Sequence, residues 1–264
     1  MIPKKIHYCW FGGNEIPEKD RKCIESWKKY CPDYEIIQWN EDNYDVSKCK
    51  YMYQAYTQQK WGFVPDYARL DIVYNEGGIY LDTDVELVKS LDGFLNLKGF
   101  MGFENENYVN LGAGFGAEKN NKVIKKMRDI YDEQEFIKAD GTNNLTASPK
   151  YTTYVLKKMG LVMNNITQKV DGVTVFASDY FSPLNFLDGV LSLTENTYGI
   201  HWFNMSWKEQ DEKKLIHIQQ ENIRKFGRRT GRFINKFYIL IYYLRKEGVI
   251  KSCRRLVSKE KKAV

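Results

Sequence analysis

The chain has 264 residues, 43% hydrophobic and 28% charged, a composition that suits a folded domain and excludes wholesale disorder. No apolar run reaches the about 18 residues a membrane-spanning helix needs, and Met1-Ile2-Pro3-Lys4-Lys5 leads straight into a strand-like run, so no secretory leader is expected. The net charge of +6 hides a division: from Arg224 onward fourteen basic residues face only Glu247 and Glu260, leaving +12 on the tail and −6 on residues 1–223.

Residues 6–11, Ile-His-Tyr-Cys-Trp-Phe, form an apolar run closed by Gly12-Gly13, the pattern of a buried first strand and a tight turn. Residues 18–30 read as a helix with Cys23, Ile24 and Trp27 on one face, and residues 34–39 as a second strand. Strand, helix, strand is the unit of a parallel sheet. A tyrosine-rich stretch, helical in part, follows to about Lys60. Pro65 suits the first turn of the next helix, where its fixed φ and missing donor cost nothing. Gly77-Gly78 ends that helix, and residues 79–81 resume as a strand running into Asp82-Thr83-Asp84. Further on, residues 99–103, 112–117 and 173–176 read as strands, and 123–131 and 149–159 as helices. Residues 1–222 therefore read as one α/β domain and 223–264 as a basic, partly amphipathic helical extension. The five cysteines (Cys9, Cys23, Cys31, Cys49, Cys253) are odd in number and lack metal-ligand spacing, which fits reduced thiols in a cytoplasmic protein.

Asp82 and Asp84 end an apolar strand, at the carboxyl edge where open α/β sheets bind ligands. On an extended backbone, residues two apart point to the same side. Two hard oxygen anions there suit a partly hydrated Mg²⁺ or Mn²⁺ shared with a phosphate-bearing ligand, although Asp-x-Asp alone also describes a solvated turn. Asp66 and Arg69 share a face of the preceding helix, either as a surface ion pair or as groups for a diphosphate and a sugar hydroxyl. Of the three histidines, His7 reads as structural, because it and Trp10 fall on opposite faces of the first strand. His201, beside Trp202, is either a packed side chain or a ligand. Trp10 ends the first strand, where it packs in the core or stacks on a nucleobase. Asn110 opens a glycine-rich strand that lets backbone approach a sugar closely, and the run lacks the following helix and acidic partner of a dinucleotide fingerprint.

Three blocks together resemble glycosyltransferase family 32, the DXD sugar transferases of capsule formation and yeast mannosyl initiation, and the related glucosylating bacterial toxins. They are His7-Tyr-Cys-Trp10-Phe-Gly-Gly13, Asp66-x-x-Arg69 through Gly77-Gly-Ile-Tyr80-Leu-Asp82-x-Asp84, and His201-Trp-Phe-Asn-Met-Ser206-Trp207. The resemblance implies a GT-A type fold, a Rossmann-like α/β sandwich with a mostly parallel central sheet. It implies retaining transfer of a hexose (galactose, glucose or an N-acetylated form) from a nucleotide diphosphate sugar, onto a glycan or lipid-linked oligosaccharide in surface polysaccharide synthesis. Asp82, Asp84 and His201 would hold Mn²⁺ or Mg²⁺. Trp10, Gly12, Asp66, Arg69, Tyr80, Asp82, Asn110, Ser206 and Trp207 would bind the nucleotide sugar, with Asp66, Arg69, Asp82 and Asp84 as the catalytic set. Uracil stacking on the corresponding tryptophan in the toxins favours UDP. Asp140 and residues 146–149 would border the acceptor. The competing expectations are a non-catalytic sugar-nucleotide or membrane-binding module and a nucleotidyltransferase or phosphohydrolase, which also uses Asp-x-Asp.

Residues 233–244 are a twelve-residue apolar stretch flanked by Arg and Lys, too short to span a bilayer but suited to its surface. At about 1 kcal/mol per basic residue, such a tail holds a protein peripherally on an anionic inner leaflet; packing on the body is the alternative. No nucleic-acid module is legible, so nucleic acid is not an expected partner.

Overall fold

The computed structural model describes residues 1–205 and 210–260, with side chains to residue 245. Strand β1 (Lys5–Cys9) pairs in parallel with β2 (Glu35–Trp39), the two joined by α1 (Glu18–Tyr30). β1 stops two residues before its expected end: Trp10 N–H still donates to Trp39 O at 2.9 Å, but the chain then turns at Gly12 and Gly13, both with positive φ. After α2 (Lys50–Thr57), α3 (Pro65–Glu76) begins on its proline and ends at Gly77, where a φ of 67° is left-handed. β3 (Gly78–Tyr80) then returns parallel to β1.

There follow β4 (Val85–Leu87), β5 (Gly99–Asn105), β6 (Tyr108–Val109), β7 (Phe115–Ala117), α4 (Lys122–Asp129), α5 (Ser148–Lys158), β8 (Gln168–Val170), β9 (Val173–Phe176) and β10 (Gly199–His201). The main sheet runs β2-β1-β3-β7-β5-β9-β8 with β6 beside β5, and β4 pairs with β10 in a separate antiparallel ribbon. Strands β1, β2, β3, β5 and β9 run one way and β6, β7 and β8 the other, a mixed α/β sheet with a parallel majority. The strand expected at 112–117 shrinks to its last three residues, because Gly114 N–H bonds back to Leu111 O in a turn.

Alternation along the strands fills both faces of the sheet. Ile6, Tyr8, Ile79 and Phe100 pack with Trp27 of α1 on one side. Cys9, Tyr80, Met101 and Phe103 pack with Met52, Val73 and Ile124 of α2, α3 and α4 on the other. Each large apolar side chain buried this way contributes about 1.5–3 kcal/mol. His7 is buried in the sheet: Trp39 Nε1 donates to its Nδ1 at 3.1 Å and its Nε2 donates to Gly77 O at 2.8 Å. Burial lowers its pKa, so the ring is a neutral structural group. Cys9, Cys23, Cys31 and Cys49 are buried and unbridged.

The chain forms two compact units, Met1–Leu184 with Leu191–Trp207, and Asn185–Val190 with Lys208–Val264. In the second, α6 (Gln210–Glu260) doubles back at Gly227, whose φ is 77°. Asn235 Nδ2 donates to Gln219 Oε1 at 2.9 Å, a contact that sixteen residues of straight helix, about 24 Å long, would forbid. The expected helical extension is therefore an αα-hairpin.

Candidate active site

The site grows from the end of β3. The extended backbone expected for Asp82-Thr83-Asp84 gives way to a turn, in which Val85 N–H donates to Asp82 O at 3.1 Å. The turn forms because Thr83 is drawn inward, its hydroxyl donating to the buried Asp20 carboxylate at 2.9 Å, while β4 leaves to pair with β10. That pairing sets His201 opposite Val85. One ligand atom from each of Asp82, Asp84 and His201 then lies within 4.8 Å of the others.

His201 Nε2 stands 3.2 Å from Asp84 Oδ1, and Asn204 N–H donates to Asp84 Oδ2 at 2.8 Å. Burial works against charge on Asp84, but His201 and the Asn204 amide outweigh it and hold the carboxyl below its ordinary range. Burial likewise works against charge on His201, and Asp84 reverses the balance and raises its pKa. His201 Nδ1 is buried with no hydrogen-bond partner among the described residues.

Asp66 and Arg69 in the first turns of α3 are not the surface pair that spacing alone allowed: both are buried, joined at 2.7 Å. Arg69 NH1 reaches Asp82 Oδ1 at 3.5 Å, and the guanidinium carbon lies 5.3 Å from the centre of the Tyr80 ring. Burial pushes the Asp66 carboxyl up to about 6 against the pull of Arg69. Burial opposes charge on Arg69 too, but Asp82, Tyr80 and Asp66 keep it firmly protonated. The fixed cation thus bridges the helix to the first aspartate of the turn.

Asn110 enters through Gly112. Its Oδ1 accepts from Gly112 N–H at 2.9 Å, and Gly112 O accepts from Asp82 N–H at 3.0 Å. Its Nδ2 donates to Glu104 Oε2 at 2.8 Å, so Glu104 belongs to the same network, with burial raising its pKa. Sequence reasoning missed Glu104 and Asp20, which follow no motif spacing. Trp10 and Gly12 have other partners: the Trp10 indole donates to Asn14 O at 2.6 Å, and Gly12 N–H to Glu41 Oε1 at 2.7 Å beneath the Trp61 ring. Asp140 is exposed and accepts from Thr142 N–H; of residues 146–149, Ser148 and Pro149 open α5, and Ser148 hydrogen-bonds the Asp66 carboxylate. Ser206 and Trp207 lie outside the described residues.

Two carboxylates and an imidazole suit a divalent cation of the Mg²⁺ or Mn²⁺ kind. The orphaned Nδ1 shows the ring is held by Asp84 and packing rather than by a full set of hydrogen bonds.

Residues 17–100 match the protein family described as a glycosyltransferase sugar-binding region containing the DXD motif. An uncharacterized glycosyltransferase of Acanthamoeba polyphaga mimivirus is 28% identical over 201 residues, 70% of this chain and 74% of that protein. Inositol phosphoceramide mannosyltransferase 3 of Schizosaccharomyces pombe is 34% identical over 103 residues, 36% of this chain and 28% of that one. Three of the curated relatives are matched over only 26%, 28% and 33% of their own length. Among solved structures, the PaToxG glycosyltransferase aligns over 60% of this chain and 69% of its own, with a TM-score of 0.44 and 24% identity.

Proposed function

We propose that this glycosyltransferase, which carries the DXD sugar-binding region, transfers a hexose with retention of configuration from a UDP-linked donor. The acceptor on this reading is a glycan or lipid-linked oligosaccharide of a surface polysaccharide. The observation that carries the reading is the meeting of Asp82, Asp84 and His201 beside the buried Asp66–Arg69 pair. Asp82, Asp84 and His201 are the residues that would hold Mn²⁺ or Mg²⁺. Such an ion, when bound, neutralises the charge that develops on the departing diphosphate without moving a proton.

The chain's own groups supply the rest. Arg69, fixed at three points by Pro65 O, Asp66 and Asp82, offers a pre-oriented cation to the diphosphate and hydrogen bonds to the sugar. Asp66, buried and charge-paired with Arg69, is suited to accept a hydrogen bond from a sugar hydroxyl. Asn110 and Gly112 shape the wall beside Asp82, where the backbone is free of side chain. Trp10 is assigned the nucleobase, and Ser206 and Trp207 the phosphates, on the family resemblance. With Asp82 and Asp84 assigned to the cation and Asp66 to Arg69, a front-face displacement is preferred over a double displacement, the leaving phosphate taking the acceptor proton as an oxocarbenium-like state forms.

Residues 223–264 are proposed to hold the enzyme against an anionic membrane surface. On the second arm of the hairpin Phe233, Phe237 and Ile241 recur every four residues and are exposed, with Arg229, Arg232 and Lys236 alongside. No helix among the described residues is long and apolar enough to cross a membrane.

The test is a panel of UDP- and GDP-hexoses with Mn²⁺, assayed for nucleotide diphosphate. UDP release that falls by about 100-fold or more in Asp84→Asn, the scale of one lost charge-stabilising contact, is the expected result. Release of monophosphate or pyrophosphate instead would make the protein a nucleotidyltransferase or phosphohydrolase, and an inverted anomeric configuration in the product would overturn the front-face assignment.

A further inference from the structure

Asp20 lies in the first turn of α1, outside the three motif blocks, yet it is buried at 2% exposure beside the turn that carries Asp82 and Asp84. Its two carboxylate oxygens serve two different segments. Oδ2 accepts from the Thr83 hydroxyl at 2.9 Å, and Oδ1 accepts from the Asn204 side-chain amide at 2.7 Å. Asn204 in turn gives its backbone N–H to Asp84 Oδ2 at 2.8 Å, and Trp202 N–H donates to Asp84 O at 3.0 Å.

The segment so held is strained. Phe203 and Met205, on either side of Asn204, have φ of 52° and 48°. Side-chain-bearing residues seldom adopt the left-handed region, and they stay there only where surrounding contacts over-determine the backbone. The remaining contacts between α1 and the turn's strand show that α1 is a firm support: Trp27 Nε1 donates to Val85 O at 2.6 Å, and Leu87 N–H to Ser26 Oγ at 2.8 Å.

We infer that Asp20 is a positioning residue, whose carboxylate ties the Thr83 turn and the strained 203–205 segment to one rigid helix and so sets the height of that segment over Asp84. The role in turnover rests on the proposed donor site; the clamp itself does not.

Hydrogen exchange of the amides of residues 202–204 tests the clamp without reference to activity. In Asp20→Ala and in Asn204→Ala the exchange is expected to quicken by about tenfold, the equilibrium change for one net hydrogen bond. Glu25→Ala, at an exposed position of the same helix, is expected to leave it unchanged. Asp20→Asn keeps both contacts, its oxygen accepting from Asn204 and its amide donating to a rotated Thr83 hydroxyl, and is expected to stay within about twofold of the parent. In turnover, Asp20→Ala is expected to raise the donor KM several-fold, with Asp20→Asn rescuing it. Parental exchange in Asp20→Ala, or Asp20→Asn as damaged as Asp20→Ala, would overturn the assignment. If Asp20→Ala fails to fold, Asn204→Ala and Thr83→Val each break one half of the clamp, and parental exchange in Asn204→Ala is then decisive against it. A parent enzyme that turns over no nucleotide sugar, with exchange responding as stated, defeats the functional reading and leaves the clamp standing.

Discussion

Gly112 lies so close to the Asp82 carboxylate that a Cβ there would come within 2.1 Å of Asp82 Oδ2 and 3.2 Å of Arg69 NH1. Gly112→Ala therefore displaces the carboxylate and loosens its pairing with Arg69, while the site's helix and sheet remain. Misplacing a reacting group by about 1 Å costs about 100-fold in rate, so UDP release is expected to fall by that order while the melting temperature shifts little. Steady-state kinetics beside a thermal melt decide it; parental turnover would refute the crowding. Nothing in Asn110-Leu-Gly-Ala-Gly-Phe-Gly116 sets Gly112 apart, because the atom it makes room for comes from the turn after β3, thirty residues earlier in the chain. Asp66 and Arg69 were legible for the opposite reason: their pairing is local to one helical turn. Glu104 and Asp20 were not, since a lone carboxylate in a polar stretch looks solvated until the tertiary fold buries it.

The strand and helix boundaries followed from apolar runs and Gly or Pro punctuation, and most lie within a residue or two of expectation. The departures have identifiable causes. Asp82-Thr83-Asp84 is a turn because Asp20 draws Thr83 inward, and β4 and β10 escaped notice because three-residue strands carry no period. In α6, the sequence reading of a helical extension gave no sign of the reversal, at which Gly227 takes a left-handed φ while Gly231 lets the arms meet. A Cβ on Gly231 would lie 2.6 Å from the Asn222 carbonyl carbon and oxygen, backbone that cannot swing aside. Gly231→Val is expected to part the arms, at a cost of about 1–3 kcal/mol. Hydrogen exchange read along residues 215–240 should rise there and not in α3; equal protection in parent and variant would show that the arms do not pack as described.

Charge is divided along the whole chain, −6 on residues 1–223 and +12 beyond. An anionic bilayer offers the basic arm both electrostatic attraction and an apolar layer for Phe233, Phe237 and Ile241. The protein is accordingly expected to sediment with vesicles rich in phosphatidylserine at low salt and not with phosphatidylcholine alone. A triple change of these three residues to Ser should weaken binding by tenfold or more, at about 0.8 kcal/mol for each buried methylene lost. Binding equally strong to both vesicle types, or unaltered in the variant, would remove the membrane role. The α/β class, the pair of aspartates after the apolar strand and the basic tail were written in periodicity, local spacing and composition, which depend only on near neighbours in the chain. The gathering of Asp82, Asp84 and His201, the burial that made a fixed cation of Arg69, and the reversal at Gly227 were decided by the fold alone, because each depends on which distant atoms exclude water from the group.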